Sequence, residues 1–316
     1  FTLDPNFNPG ANNSVYALAL DNNKLYAGGA FTTLASNTAN RVGCIDLSNG
    51  QLTSWNPNCN SSVYTICVTS SDVYLGGAFT VVGTNDQPYF AKVDKTTGAY
   101  LPGVATDYIV NDIKENNGKI YLGGSFSNAG YYTTYGAALT TASDIPSTSF
   151  PKTNGIIYDI LSDGNGGWYI AGNFTNVGGV TRNRIAHILS NFTVDPSWNP
   201  DANNSVYTLA LSGGNLFAGG TFTTIGGNTI TRLAKMDAAT GTVDAAFNPA
   251  PDNAVYTMDL NGSNIYIGGV FTNIGSSARP YIGAINTTTG MVTSWNPGTN
   301  YIVYVLKING GNAYIG

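Results

Sequence analysis

Along the chain, short apolar runs of period two alternate with clusters of Asn, Asp, Gly and Thr, and no apolar stripe of helical period intervenes. That pattern predicts strands and turns throughout. One phrase keeps returning: "LYAGGAFT" is followed by "VYLGGAFT", "IYLGGSFS", "YIAGNFT", "LFAGGTFT" and "IYIGGVFT". Its phenylalanine serves as a ruler, because Phe31, Phe79, Phe126, Phe174, Phe222 and Phe271 are spaced by 48, 47, 48, 48 and 49 residues. A corner made of an aromatic residue, Asn and Pro recurs with the same period at Phe7, Trp55, Trp198, Phe247 and Trp295, with Leu101-Pro102 and Phe150-Pro151 as degenerate forms.

Each period divides into four apolar segments. The first resembles "SVYALAL" from Ser14 and recurs at Val63, Val110, Ile157, Val206, Val255 and Val303. The second is the Gly-Gly phrase, set off by turns such as Asp21-Asn22-Asn23 or Ser212-Gly213-Gly214, whose residues tolerate positive φ or bond their own backbone. The third resembles "RVGCIDL" from Arg41, and the fourth ends at the aromatic corner. Four strands of about five or six residues with connections of about four to six fill such a period and leave no room for a helix.

A four-stranded unit apolar on both faces buries itself only against its neighbours, and radial stacking of such units is the β-propeller. The expected fold is therefore all-β: one domain over residues 1–316, a seven-bladed β-propeller of four-stranded blades. The first segment occurs seven times and the third only six, so the seventh blade is expected to be incomplete within this chain. Residues 1–9, "FTLDPNFNP", align with "GMVTSWNP" and are expected to supply the closing outer strand. The missing third strand is expected to come from a longer form of the same chain. The alternative is a neighbour, in which case the open blade edge joins this protein to other protein chains by self-assembly. The Gly-Gly pair, lying inside a strand, predicts a bulge or a close backbone approach, since glycine otherwise weakens pairing.

Composition narrows the function. Only 10% of residues are charged, against roughly 25% in an average soluble protein. The net charge of −5 is spread along the chain without a basic cluster, which argues against nucleic acid as a partner. No apolar run approaches the ~18 residues that suggest a membrane span. Cys44, Cys59 and Cys67 are odd in number and lack zinc-type spacing, so free thiols are expected, with Cys44 and Cys67 buried on strands.

The phrases "GGAFTTL…NRVGCIDLSNGQLTSWNPN", "AGNFTNVGGVTRNRIAHILSNFTVDPSWNPDANNSVYTLAL" and "GGTFTTIGGNTITRLAKMDAATGTVDAAFNP" resemble the delta-60 repeat, a β-propeller family of uncharacterised function. The resemblance spans nearly all of the chain. It implies a secreted or cell-surface bacterial protein, located outside the cell, and carries no catalytic residue to transfer. The third copy, "SFSNAGYYTTYGAALTTASDIPSTSFP", departs most, lacking both the Arg and the Asp of the phrase.

Candidate chemistry is sparse. There is one histidine, His187, and one glutamate, Glu115. Asp46, Asp94 and Asp237 precede turns at equivalent positions, and Asp4, Asp195 and Asp244 precede the aromatic corner; Asx-turns account for all six. A ring of calcium sites is the alternative, but hard cations need about six to eight oxygens and no dense acidic loop occurs. "SDGNGGW" from Ser162 has a superficial likeness to a sialidase Asp-box without its ending. No catalytic residue, metal site or cofactor is assigned.

The most suggestive set is Tyr16, Tyr64, Tyr158, Tyr207, Tyr256 and Tyr304, each at the second position of the first segment, with Asn111 at the odd blade. At a channel mouth they form an aromatic ring for a sugar or peptide; packed between blades they are structural. Asn-x-Ser/Thr triplets begin at Asn12, Asn60, Asn173, Asn191, Asn203, Asn261 and Asn286. Together these features predict a non-enzymatic extracellular module, structural or adhesive, as a subunit of a surface fibre or large adhesin. The alternative is a propeller that binds carbohydrate or peptide through the tyrosines, which makes glycans a candidate partner.

Overall fold

The structure, a computed structural model, describes residues 7–140, 147 and 149–316. Every regular element among them is a β-strand. The described residues fall into two compact units, residues 7–150 and Pro151–Ile315.

Three antiparallel sheets make up the first unit. The strands run in the order Val15–Asp21, Lys24–Gly29, Val42–Asp46, Gln51–Leu52 in one sheet, and Val63–Val68, Asp72–Gly77, Phe90–Asp94, Tyr100–Leu101 in the next. The third has Val110–Asn116, Lys119–Gly124 and Gly136–Thr140. In the second unit, three sheets repeat the plan: Ile157–Ser162 with Trp168–Gly172 and Ile185–Ile188, Val206–Ser212 with Asn215–Gly220 and Leu233–Asp237, and Val255–Asn261 with Asn264–Gly269 and Ile282–Asn286. A two-stranded hairpin, Leu306–Asn309 with Asn312–Ile315, follows.

The fourth strand is weaker than the pattern implies. In the three sheets of the second unit it is reduced to single bridges, Ile188 with Val194, Met236 with Val243 and Ile285 with Val292. Side chains replace part of the ladder: Arg182 Nη2 donates to the carbonyls of Asp195 and Pro196 at 2.7 and 3.1 Å, and Arg279 Nη2 to that of Thr293 at 2.7 Å. The expected closing strand falls on residues 1–9, of which 1–6 lie outside the described residues and 7–9 carry no strand. Unforeseen from the pattern are two-residue ribbons after the Gly-Gly phrase, such as Thr33–Leu34 with Asn37–Thr38.

Burial explains the ruler. All six of its phenylalanines are at most 1% exposed, and each such burial stabilises by roughly 2 kcal/mol. Corner tryptophans tie one blade to the next: Trp55 Nε1 donates to Asp94 O at 3.0 Å, and Trp198 Nε1 to Ala238 O at 2.9 Å.

A polar clamp repeats just before each first strand. Asn12 Oδ1 accepts the backbone N–H groups of Thr32 and Thr33 at 2.8 and 3.0 Å. Asn60, Asp107, Asn154 and Asn203 do the same one blade further each time. Asp252 bonds the N–H of Thr272 at 2.8 Å and its hydroxyl at 2.7 Å. Because Asn serves in four blades and Asp in two, Asp252→Asn keeps the two backbone bonds and should cost less than Asp252→Ala. Asp252→Ala should cost about 1 kcal/mol, the scale of a lost side-chain cap. Urea denaturation midpoints of the two variants check this.

A second device precedes each third strand. Arg41, Tyr89, Tyr135, Arg184, Arg232 and Tyr281 all have left-handed φ, between 61° and 69°, a conformation that costs a non-glycine residue roughly 1–2 kcal/mol. Two backbone bonds offset it. Arg41 N–H donates to Phe31 O at 2.9 Å, and its carbonyl accepts Gly29 N–H at 2.8 Å. The other five repeat both bonds. Guanidinium groups of Arg41, Arg184 and Arg232 also cap the carbonyls of Ala30, Asn173 and Thr221.

Candidate functional site

The tyrosine set and the Gly-Gly pair prove to be one device. In the first blade Val15 pairs with Gly29 and Ala17 with Gly28, so Tyr16 is skipped by the ladder as a bulge. The same shift skips Tyr64, Asn111, Tyr158, Tyr207 and Tyr256. Closing the bulge brings the carbonyl of the residue before the strand over the second glycine. A Cβ on Gly29, Gly77, Gly172, Gly220 or Gly269 would lie 2.1–2.2 Å from that oxygen, and the following residue's N–H donates to it, as Ala30 does to Ser14 O at 2.8 Å. The first glycine faces the next blade instead: a Cβ on Gly28 would stand 2.8 Å from Val63 Cγ1, and on Gly219 2.8 Å from Val255 Cγ1.

Where the next blade also carries a tyrosine, the bulge turns one ring toward the other. In the first unit the Tyr16 and Tyr64 rings meet edge to face, with centroids 5.4 Å apart. In the second, Tyr158, Tyr207, Tyr256 and Tyr304 form a consecutive series at 5.1, 5.5 and 6.0 Å. The first two contacts are edge to face and the last is parallel within 2°. All six rings are half-buried. Burial, and then the neighbouring phenols, push Tyr64 and Tyr256 above the ordinary tyrosine value. Tyr158 is raised by burial and by Tyr207, against an opposing effect of Arg184. Tyr64, Tyr158 and Tyr256 thus remain neutral at physiological pH, able to donate hydrogen bonds and to offer ring edges and faces. Edge-to-face contact between blades also realises the structural role of these rings.

His187 has the densest polar environment. Its Nδ1 lies 3.0 Å from Asp195 Oδ2 and its Nε2 3.1 Å from Asp163 Oδ2, so both bonds form together only when both ring nitrogens carry protons. The other carboxylate oxygens are also taken: Asp163 Oδ1 accepts the N–H groups of Asn165 and Gly167 at 2.7 and 2.8 Å, and Asp195 Oδ1 accepts the N–H and hydroxyl of Ser197 at 3.0 and 2.8 Å. The imidazole stacks on Tyr169 at 4.6 Å, and Tyr169 Oη donates to Ala238 O at 2.7 Å, the carbonyl that also receives Trp198. Burial followed by the charges of Asp163 and Asp195 pushes Tyr169 up to about 12. This cluster therefore braces the junction between two blades. Sequence reading missed it, yet a signal existed: Lys235 occupies the slot of His187 and Asp244 that of Asp195, and they pair at 2.7 Å.

The remaining acids close turns. Ser48 N–H and hydroxyl bond Asp46 Oδ1 at 2.8 and 2.6 Å, Thr97 N–H bonds Asp94 at 2.7 Å, and Thr240 N–H bonds Asp237 at 2.8 Å. These bonds hold all three carboxyls below the usual range. Asp252 falls further, to about 2, because four bonds from Thr272 and Asn273 outweigh its burial. Depressed carboxyls stabilise the fold above their unfolded value of 3.8, and that contribution disappears as pH falls through the folded values. Thermal stability should therefore hold from neutrality to about pH 5 and fall steeply between about pH 4 and 2, as a calorimetric pH series would record. Asp4 lies outside the described residues.

All three cysteines are free, with Cys44 and Cys59 buried and Cys67 half-buried. Burial pushes the Cys59 thiol up to about 12 and Cys67 to about 11. Among the described residues no group of three or more His, Cys, Asp or Glu is arranged to hold a metal ion, and no helix is long and apolar enough to cross a membrane.

Comparison with known proteins agrees with this architecture. A family model described as a β-propeller domain of unknown function (DUF5122) matches residues 164–197, the segment that contains His187 and Asp195. The crystal structure of the computationally designed Ika8 protein is similar with a TM-score of 0.63 at 12% identity, covering 98% of this chain and 93% of the other. The WD40 β-propeller domain of Doa1 is similar with a TM-score of 0.65 at 14% identity, covering 97% and 90%. No curated protein matches the chain. The fold is an all-β propeller.

Proposed function

We propose that the chain is a non-enzymatic, extracellular structural or adhesive propeller of the delta-60 type, working as a unit of a surface fibre or large adhesin of a bacterium. The observation that carries this reading is that the polar side chains are engaged in the scaffold itself. His187 is held by Asp163 and Asp195, the repeated acids close turns, and the repeated Asn and Asp clamps hold loops. A surface with few charges favours packing against other protein chains. Electron microscopy of the natively secreted protein tests this: end-joined or fibrous particles are expected, and isolated rings at millimolar concentration would overturn it.

A second reading is favoured by the series Tyr158, Tyr207, Tyr256 and Tyr304, which offers phenol hydroxyls and ring edges over four successive repeats. Such a series suits glycans or an extended peptide. On a glycan array, a binding signal that Tyr207→Ala and Tyr256→Ala each weaken at least tenfold is the expected result. Absence of any glycan signal, or one indifferent to both substitutions, removes the sugar-binding reading.

A further inference from the structure

The seven Asn-x-Ser/Thr triplets are not equivalent in three dimensions. Asn12, Asn60 and Asn203 use both ends of the amide: the oxygen accepts two backbone N–H groups, and Nδ2 donates to the hydroxyls of Thr32, Thr80 and Thr223 at 2.9, 2.9 and 2.8 Å. Asn173 is half-buried, with its oxygen on Ile156 N–H at 2.7 Å. Asn261 donates Nδ2 to Gly310 O at 3.3 Å. Asn286 ends a strand and is half-buried, and its oxygen takes the N–H groups of Thr288 and Thr289 and the hydroxyl of Thr289.

Asn191 alone among these combines exposure with a hydrogen bond from the hydroxyl of its own triplet. It is exposed at the turn between Ile185–Ile188 and the fourth segment. Its oxygen accepts both the N–H and the hydroxyl of Thr193, at 3.0 and 2.7 Å, and among the described residues Nδ2 has no partner. The triplet's own hydroxyl thus draws electron density from the amide carbonyl, which makes the Nδ2 protons more acidic.

The turn is also an exception within the repeat. Among the described residues, Gly50, Gly98, Gly241 and Gly290 hold its left-handed position in four other blades, with φ of 69°, 77°, 72° and 71°, whereas here Phe192 holds it at 66°. A side chain at that angle costs roughly 1–2 kcal/mol. Strain kept at one member of a repeat points to a local role. What it produces is an Asn-Phe-Thr triplet where the next blade has Thr240-Gly241-Thr242.

We propose that Asn191 is a glycan attachment site, taking a hexose activated as a phosphate or diphosphate ester. The Nδ2–C1 bond forms as the bond from C1 to the phosphate oxygen breaks; the phosphate leaves with the electron pair, and the Nδ2 proton passes to the transferase's base. The site is separate from the tyrosine series, and its loss leaves the scaffold reading standing.

The test uses the whole folded chain, a soluble asparagine glycosyltransferase with a nucleotide-activated glucose, and site mapping by mass spectrometry. Tryptic peptides of the same chain are treated in parallel. The expected result is modification of the peptides at several triplets but of the folded chain at Asn191, at least tenfold faster than at Asn12, Asn60 or Asn203. Thr193→Val should abolish it without shifting the melting temperature by more than the turn itself explains. Equal modification of Asn12, Asn60 or Asn203 in the folded chain overturns the proposal, as does failure of Asn191 in folded chain and peptide alike.

Discussion

Gly220→Ala should destabilise the protein by about 3 kcal/mol or more, whereas Gly219→Ala, one residue earlier, should cost about 1 kcal/mol. The two glycines are adjacent and chemically identical, so composition or strand propensity does not separate them. Their surroundings do. A Cβ on Gly220 falls 2.2 Å from Ser205 O, a backbone atom pinned by Thr221 N–H at 2.9 Å, and it has no direction in which to yield. A Cβ on Gly219 meets Val255 Cγ1 at 2.8 Å and Thr208 Cγ2 at 2.9 Å, both side-chain methyl groups that can shift. The chain already contains the control: Ala171 stands at the first position in its blade and packs beside Val206. Urea midpoints of the two variants decide the matter, and equal losses would contradict the bulge as the reason for the pair.

The second large effect is at His187. His187→Leu should cost about 3 kcal/mol, because it removes the hydrogen-bond partner shared by two poorly exposed carboxylates. The substitution leaves Asp163 and Asp195, whose side chains are only 9% and 13% exposed, facing a hydrocarbon. Adding Asp163→Asn to His187→Leu should restore part of the loss, because the amide oxygen still accepts from Asn165 and Gly167 without a buried charge. The comparison within the molecule is Lys235 with Asp244, whose carboxylate side chain is 36% exposed. Removing that lysine should cost less than about 1 kcal/mol, since solvent screens such pairs. A strictly additive double substitution at His187 and Asp163 would mean that the charge has no part in the loss.

The period of about 48 residues made the all-β repeat legible, because short alternating runs leave few architectures at that length. Less legible was what joined separate signals. Gly28-Gly29 and Tyr16 lie on different strands, and only the register that pairs Val15 with Gly29 and Ala17 with Gly28 shows that one bulge requires both. His187 looked solitary because its partners stand 24 and 8 residues away in two different turns. The left-handed residues Arg41 and Tyr89 gave no sign at all, since bulky side chains are the last to suggest positive φ. The fourth strand was overestimated because its alternating pattern is real, but Arg182 and Arg279 take carbonyls that a ladder would have used.

The most direct test is an experimental density map of the whole chain at the first strand of the fifth repeat. The account predicts Val206 paired with Gly220, Thr208 with Gly219, and Tyr207 skipped, with its ring about 5 to 6 Å from those of Tyr158 and Tyr256. An unbroken ladder through Tyr207, or rings turned away from one another, would contradict it.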